Sequence, residues 1–336
     1  MEGIRRGQQH ECSFKTEVGY KMVKRNEYQY ICKDTSPVDV EIQLLAYNHQ
    51  DFIAQAMESV LMQQTQYSYK LIISDDCSTD STRDIVLNYY NQYPDKIALY
   101  LWEKNVGAGK SSLEMIKRCT GKYITHLEGD DYWTDPLKLE KQIGFLETHS
   151  EFIGTAHNVR CVDKDGNLLH RDFGMYPICE EHIYGKEQVK RFELAGHVAS
   201  LLYRNIWKSQ KKKQIEGFYQ YAGNGDTKLN AFLGLSGDVF YFRDVMLDHR
   251  RIFEGISWTA KTNNKNILWL VYSYHLGTKK YMEECFNQRI DTADLFYAYF
   301  EKSFRKVLCE FNRENIIVYG KFVLKKMAEV FRNESL

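Results

Sequence analysis

Lys122-Tyr123-Ile124-Thr125-His126-Leu127-Glu128-Gly129-Asp130-Asp131-Tyr132-Trp133 is a short apolar-leaning run that ends on two adjacent carboxylates. Lys122 to Leu127 reads as a strand, and Asp135-Pro136 just beyond it marks a helix start. Neighbouring side chains of an extended segment point to opposite sides, so Asp130 and Asp131 need not share one site. One can face a ligand while the other faces a hard, oxygen-seeking cation such as Mg²⁺ or Mn²⁺. The plainer reading is a solvated acidic turn. The surrounding pattern argues against it.

Working outward, Val38 to Tyr47 reads as a strand and Asp51 to Gln63 as a helix, with Phe52, Ala56 and Val60 on one face. Lys70 to Ser74 is a second strand, and Ser78-Thr79-Asp80-Ser81 caps a helix to about Tyr93. Ile97 to Trp102 is a third strand, Gly107 to Cys119 a third helix, and Lys122 to Leu127 the fourth strand. Such alternation predicts an α/β fold with a mostly parallel central sheet flanked by helices. Ligands of these sheets sit beyond the carboxyl ends of the strands. Three of those ends carry polar groups: Ala46-Tyr47-Asn48, Asp75-Asp76 and Asp130-Asp131.

Beyond residue 150 the pattern is mixed, with strands expected near Phe152–Cys161, Val198–Tyr203 and Val239–Phe242. Helices follow over Ile267–His275, Ala293–Phe311 and Ile316–Phe331. The division expected is an N-terminal extension over 1–37, a catalytic-type domain over 38–258 and a helical C-terminal region over 259–336. The extension is polar and shows no clear period.

The 45 basic and 45 acidic residues balance, so no global field points to nucleic acid. The eight cysteines form no Cys-x-x-Cys pair, which argues against zinc and for thiols in a reducing cytoplasm. No leader and no run of about 18 apolar residues is seen, so a cytoplasmic protein, at most at the inner face of a membrane, is expected.

The ordered motifs resemble family 2 glycosyltransferases of the GT-A fold. They are Val40-Glu41-Ile42 with Ala46-Tyr47-Asn48, Ser74-Asp75-Asp76-Cys77-Ser78-Thr79-Asp80, Asn105-Val106-Gly107, and Glu128-Gly129-Asp130-Asp131-Tyr132-Trp133. The resemblance is dense over residues 38–160 and thins to about 258. It implies a nucleotide-sugar donor, in particular a UDP-sugar, a divalent metal (Mn²⁺ or Mg²⁺), and a saccharide or lipid-linked acceptor. It also implies an inverting route and a place in bacterial surface-polysaccharide synthesis.

Residue by residue, Asp76 matches the position that hydrogen-bonds the base. Tyr47 would stack on that base, with Ala46 and Asn48 contacting the nucleotide. Asp130 matches the donor-sugar or ribose contact and Asp131 the metal ligand, while Trp133 would line the sugar pocket. Asn224-Gly225-Asp226 resembles the turn that supplies the catalytic base. Asp226 before a helix is equally an ordinary N-cap, and both readings stand. His249-Arg250-Arg251-Ile252-Phe253 resembles a late Arg-x-His loop in which Phe253 replaces the histidine, leaving Arg251 to meet the diphosphate. His197 and Arg204 either face the acceptor or simply pack.

Val106-Gly107-Ala108-Gly109-Lys110-Ser111-Ser112 imitates a phosphate loop, but Lys104 stands where that pattern needs glycine. A nucleotide phosphotransferase and a non-catalytic sugar-nucleotide binder are the competing readings. In the tail, Phe304-Arg305-Lys306-Val307-Leu308 and Phe322-Val323-Leu324-Lys325-Lys326-Met327 mix basic and apolar residues at helical spacing. They make either a peripheral membrane contact or a helical pair packed on its own domain.

Overall fold

Residues 12–15, 21–24, 27–169, 178–207, 212–221, 223–254, 258–262 and 265–333 are described by the structure, a computed structural model. Three N-terminal strands come first: β1 (Cys12–Lys15), β2 (Lys21–Lys24) and β3 (Tyr28–Cys32). The regular series follows as β4 (Val40–Ala46), α1 (Ile53–Leu61), β5 (Tyr69–Asp75), α2 (Thr82–Gln92), β6 (Ile97–Trp102), α3 (Ala108–Arg118) and β7 (Tyr123–Glu128). Then come β8 (Tyr132–Trp133), α4 (Lys138–Thr148), β9 (Phe152–Val162), β10 (His182–Tyr184), α5 (Lys186–Lys190) and β11 (Leu202–Arg204). The second half continues with α6 (Lys212–Gln220), α7 (Gly225–Ser236), β12 (Asp238–Arg250) and α8 (Trp258–Thr262). Three long helices end the chain: α9 (Leu268–Phe286), α10 (Ala293–Cys309) and α11 (Arg313–Asn333).

One sheet runs through the molecule in the order β1-β2-β3-β6-β5-β4-β7-β11-β9-β12-β10, with β8 paired to β12. Its centre, β6-β5-β4-β7, is parallel. Both faces of β4 are buried, Val40, Ile42 and Leu44 on one side and Glu41 and Gln43 on the other, as a strand covered by helices on both faces requires. Ile53, Ala56, Met57 and Val60 recur at helical spacing on α1 and enter the first core with Ile42, Leu44 and Leu127. Met115 of α3 packs on the opposite face against Ile72, Tyr100 and Trp102.

Three regions differ from the sequence reading, and in the first, the strand expected over Val198–Tyr203, Val198–Ser200 is a 3₁₀ turn and only Leu202–Arg204 is strand. Tyr28–Cys32, expected within an unpatterned extension, is a strand of the main sheet, antiparallel to β6 from Tyr28↔Trp102 to Cys32↔Ala98. Its partner lies some seventy residues away, so no local period reveals it. Strand β12, expected over Val239–Phe242 only, runs thirteen residues. Its register slips against β9 between Phe242 and Val245 and again before Leu247, where Arg243 and Asp244 interrupt the apolar pattern.

The C-terminal helices are docked rather than separate. Tyr281 and Met282 of α9 join a second core with Trp207, Phe232 and Val239, while Tyr272, Phe296, Val318 and Phe322 close a smaller one among α9, α10 and α11.

Gln43 is 1% exposed and neither amide atom has a partner. Gln43→Met keeps the volume and removes two unsatisfied polar atoms. It is expected to raise the unfolding free energy by about 1 kcal/mol, read from the urea midpoint.

Candidate functional site

The strand ends of β4, β5 and β7 meet at one edge of the sheet. Past β7 the chain turns at once: the Asp131 amide donates to the Glu128 carbonyl at 3.1 Å, so residues 129 and 130 form a turn rather than an extended step. The expectation that Asp130 and Asp131 diverge by strand alternation is therefore corrected to divergence across a turn. Gly129 makes that turn possible. Its amide donates to the Leu45 carbonyl at 2.9 Å, and a Cβ there would lie 2.5 Å from His49 Nδ1 and 3.1 Å from that same carbonyl.

Asp131 is fully buried. His249 Nδ1 approaches its two oxygens at 3.0 and 3.1 Å, and the Arg250 amide donates to Oδ1 at 2.9 Å. Burial pushes the Asp131 pKa up, but the charge and hydrogen bond of His249, then His197 and the Arg250 amide, leave it below the usual carboxylate range. For His249 the balance is the mirror image: burial disfavours the imidazolium, and Asp131 outweighs it to raise the pKa.

His197 is buried, with Nε2 3.8 Å from Asp131 Oδ2 and 3.7 Å from Glu128 Oε2. Its Nδ1 accepts the Ala199 amide at 3.2 Å, which puts the ring proton on Nε2, facing the carboxylates. Burial, then the neighbouring His249, lowers its pKa to about 3. Glu128, Asp131, His197 and His249 each offer one ligand atom, all within 4.8 Å of one another. The two carboxylates suit a hard divalent ion such as Mn²⁺ or Mg²⁺, and the two imidazoles favour Mn²⁺ over Mg²⁺. Coordination by His197 Nε2 requires the other tautomer and the loss of its bond to Ala199.

The other two strand ends are laced together. Asn48, at φ +55°, accepts the Thr79 amide at 2.8 Å, and its own amide donates to Ser78 Oγ at 3.0 Å. The Asp76 amide donates to the Ala46 carbonyl at 2.9 Å. Asp76 accepts the amides of Val106 and Gly107 at 2.7 and 2.8 Å, one on each oxygen. Burial raises its pKa, and those two amides oppose the rise. Each carboxylate oxygen keeps a second lone pair for a ligand N–H. Tyr47 sits half-buried beside this loop pair. Asp75 is turned inward, paired with Arg83 Nε at 2.5 Å.

Asp226 lies in the first turn of α7 but does not cap it. The cap is Asn224, whose side chain accepts the Asp226 amide at 2.8 Å. This decides against the N-cap reading and leaves the Asp226 carboxylate under the influence of His249 and Asp131. Desolvation raises its pKa, His249 opposes, and Asp131 adds to the rise. Glu128 is pushed well above the carboxylate range by desolvation, then by Asp131, Asp226 and Asp130 in turn. Asp130 is half-buried, and its pKa is raised by burial and by Asp131.

One expected contact, Trp133, sits elsewhere, and Arg204 takes the packing reading. Trp133 is 1% exposed within the first core, under Lys138 Nζ at 4.2 Å from its ring centre, so it supports the turn instead of lining a sugar pocket. Arg204 is spent on carbonyls of Phe152, Leu146 and His149. The phosphate-loop imitation fails physically: Asp76 occupies the Gly107 amide, and Lys110 pairs with Glu27 at 2.5 Å. Arg251 follows Arg250 at the end of β12, its amide bonded to the Val162 carbonyl at 2.8 Å.

Sequence reasoning missed Glu128, His249 and Arg250. The imidazole sought at position 253 enters from position 249. Arg250 donates to the Asp130 carbonyl at 2.7 Å, binds Gln55, and stacks over Tyr132 at 4.5 Å.

In overall shape the chain resembles Staphylococcus aureus TarS 1-349, solved with UDP-GlcNAc, with a TM-score of 0.59 at 13% identity over 85% of this chain and 80% of that one. The same protein solved with UDP gives 0.52 at 15% identity, over 80% and 72%. The fold is thus of the GT-A type. The sequence model of glycosyl transferase family 2 matches residues 42–208, and the chain carries a domain of that family. The Mycobacterium tuberculosis protein Rv1520 is 37% identical over 122 residues, 36% of this chain and 35% of its own. Escherichia coli WfaP, a UDP-Glc:alpha-D-GlcNAc-diphosphoundecaprenol beta-1,3-glucosyltransferase, is 37% identical over 118 residues, 35% and 45%. The aligned segment spans less than half of either relative.

Removing the cap and removing the carboxylate should have separable effects. Asn224→Ala is expected to cost about 1 kcal/mol of stability by denaturant titration, whereas Asp226→Asn should shift it by less than about 0.5 kcal/mol.

Proposed function

We propose that this chain is an inverting glycosyltransferase, moving a sugar from a nucleoside-diphosphate donor to a saccharide or lipid-linked acceptor with Asp226 as base. The observation that carries this reading is the freedom of Asp226: Asn224 caps α7, and the Asp226 carboxylate is electrostatically coupled to Asp131, Glu128 and His249. A carboxylate raised by desolvation and like charge at a cleft rim is suited to take a proton from a hydroxyl.

On this reading Tyr47, Asn48 and Asp76 hold the nucleobase end, with Asp76 accepting a ring N–H on a lone pair its backbone partners leave. The base is a uracil: WfaP is named for a UDP-linked donor, and TarS was solved with UDP-GlcNAc. Asp130 orients the ribose or the donor sugar. Asp131, with Glu128, His249 and His197 around it, would hold a divalent cation, Mn²⁺ by the chemistry of the donor set. When bound, that ion offsets charge on the departing diphosphate. Arg251 at the same rim serves the diphosphate from the protein side.

In the transfer, the acceptor oxygen forms its bond to the anomeric carbon as its proton passes to Asp226. The bond from that carbon to the diphosphate breaks, and the nucleoside diphosphate leaves with the electron pair. Single displacement inverts the anomeric centre. Synthesis of a bacterial surface polysaccharide is the role that fits.

Asp226→Asn should leave UDP affinity within about twofold by calorimetry while transfer falls by roughly a hundredfold or more. Asp131→Ala should abolish Mn²⁺ binding by calorimetry along with turnover. Wild-type chain that binds no uridine nucleotide and hydrolyses no nucleotide-sugar with Mn²⁺ would sink the proposal.

A further inference from the structure

The candidate site occupies one edge of the parallel strands. At the opposite edge, where β4 and β5 begin, a cavity of about 200 Å³ opens on the face of the sheet covered by α3. Two pairs of facing residues line it from the sheet: Tyr30 with Tyr100 across β3 and β6, and Glu41 with Lys70 across β4 and β5. Helix α3 ends at Arg118, so its last turn, with Met115 packed on Ile72 and Tyr100, walls the cavity without filling it.

The polar groups here are buried, and their hydrogen-bonding capacity is only partly taken up. Glu41 is 7% exposed, and its Oε1 accepts the Thr120 amide at 2.8 Å, the Thr120 hydroxyl at 3.0 Å and the Gly121 amide at 3.0 Å. Its Oε2 has no hydrogen-bond partner among the described residues. Tyr100 is 2% exposed, and its hydroxyl has none either. Burial and then Tyr30 push that phenol's pKa well up, while Arg118 and Glu41 act on it in opposite directions, so it is a neutral donor set between two charges. Arg118 donates through Nε to the Tyr28 hydroxyl at 3.0 Å and keeps both Nη groups. Lys70 is held by the carbonyls of Asp34 and Asp95, at 2.9 and 3.0 Å.

These groups select a ligand by charge and size. An anion would meet Glu41, and a cation would meet Arg118 and Lys70. A hydroxyl both donates and accepts, so one that donates to Glu41 Oε2 can also take an N–H from Arg118 or the O–H of Tyr100. A buried carboxylate oxygen and a buried phenol gain from such a partner, since polar groups left without one are costly. The volume equals roughly six or seven waters by their share of the liquid, enough for one hydroxylated ring and too little for a nucleotide. Ile72 and Met115 add an apolar wall for the C–H face of such a ring.

We propose that this cavity is a second binding site, taking one neutral monosaccharide whose hydroxyls meet Glu41 Oε2, the Tyr100 hydroxyl and the Arg118 guanidinium. The proposal stands on the cavity alone and does not depend on the transferase reading.

The test is ligand-observed NMR of the full chain titrated separately with glucose, galactose, mannose and rhamnose, and with inorganic phosphate and uracil as controls. Saturable binding of at least one sugar is expected, with a Kd of roughly millimolar for a ligand of about twelve non-hydrogen atoms. Tyr100→Phe removes only the hydroxyl and should weaken that binding by about fivefold. Glu41→Gln keeps Oε1 for Thr120 and Gly121 but puts a donor in place of Oε2, and should weaken it by about tenfold or more. Near-ultraviolet circular dichroism should be the same for both variants and the parent chain. The proposal is overturned if no sugar binds saturably, or if both substitutions leave sugar binding unaltered, which would assign the sugar to another part of the chain. Phosphate or uracil bound in a Tyr100-dependent manner, with no sugar bound, would also overturn it and give the cavity a different ligand.

Discussion

A buried carboxylate must be compensated, and the compensation of Asp131 joins the two halves of this molecule. The side chain is fully buried on the turn after β7, yet its partners, His249 and the Arg250 amide, come from the end of β12. Leaving such a charge without partners costs several kcal/mol, so the position of β12 against β7 is strongly constrained. Short β8 repeats the constraint in the backbone, pairing Trp133 with Leu247 and Tyr132 with Asp248. Arg250 adds a third tie through the Asp130 carbonyl. The geometry that makes Asp131 a candidate ligand is thus the same geometry that closes the fold.

Gly129 and Asp76 show how that edge is kept rigid. Gly129 lets the turn press onto Leu45 and His49 with no room for a methyl group. Asp76 and Asn48 replace ordinary loop contacts with side chain–backbone bonds that tie three loops together. Loops held this way present half-buried Tyr47 and the remaining lone pairs of Asp76 in a fixed relation, which limits the ordering cost of binding.

The sequence was most legible where periodicity is local. Strand β6 spans the six residues expected, and β4, β5, β7 and the three helices between them fall within about two residues of their expected limits, an ordinary boundary error. In each, hydrophobic spacing and burial agree. Legibility failed where structure depends on distant pairing. Tyr28–Cys32 is a five-residue strand defined by β6, and β12 carries charged residues at its register slips. The same divide runs through the site. Asp131 and Asp226 announce themselves by motif. His249 and Arg250 matter because β12 extends eight residues past its apolar start, Val239–Phe242, and delivers them beside Asp131. His197 drew attention in the sequence but fits packing equally well until the short 3₁₀ turn Val198–Ser200 fixes its ring beside Asp131 and Glu128.

Asp226 illustrates how a carboxylate can be tuned by opposed fields. As the second residue of α7 it sits at the positive end of the helix, which favours the ionised carboxylate. His249 pulls in the same direction. Desolvation and the charge on Asp131 push the other way and prevail. Had Asp226 itself been the cap, its oxygen would be bound to backbone N–H groups and its basicity lowered further. Giving that task to Asn224 leaves Asp226 both ionisable and more basic than an ordinary aspartate, first through desolvation and then through the charge on the neighbouring Asp131.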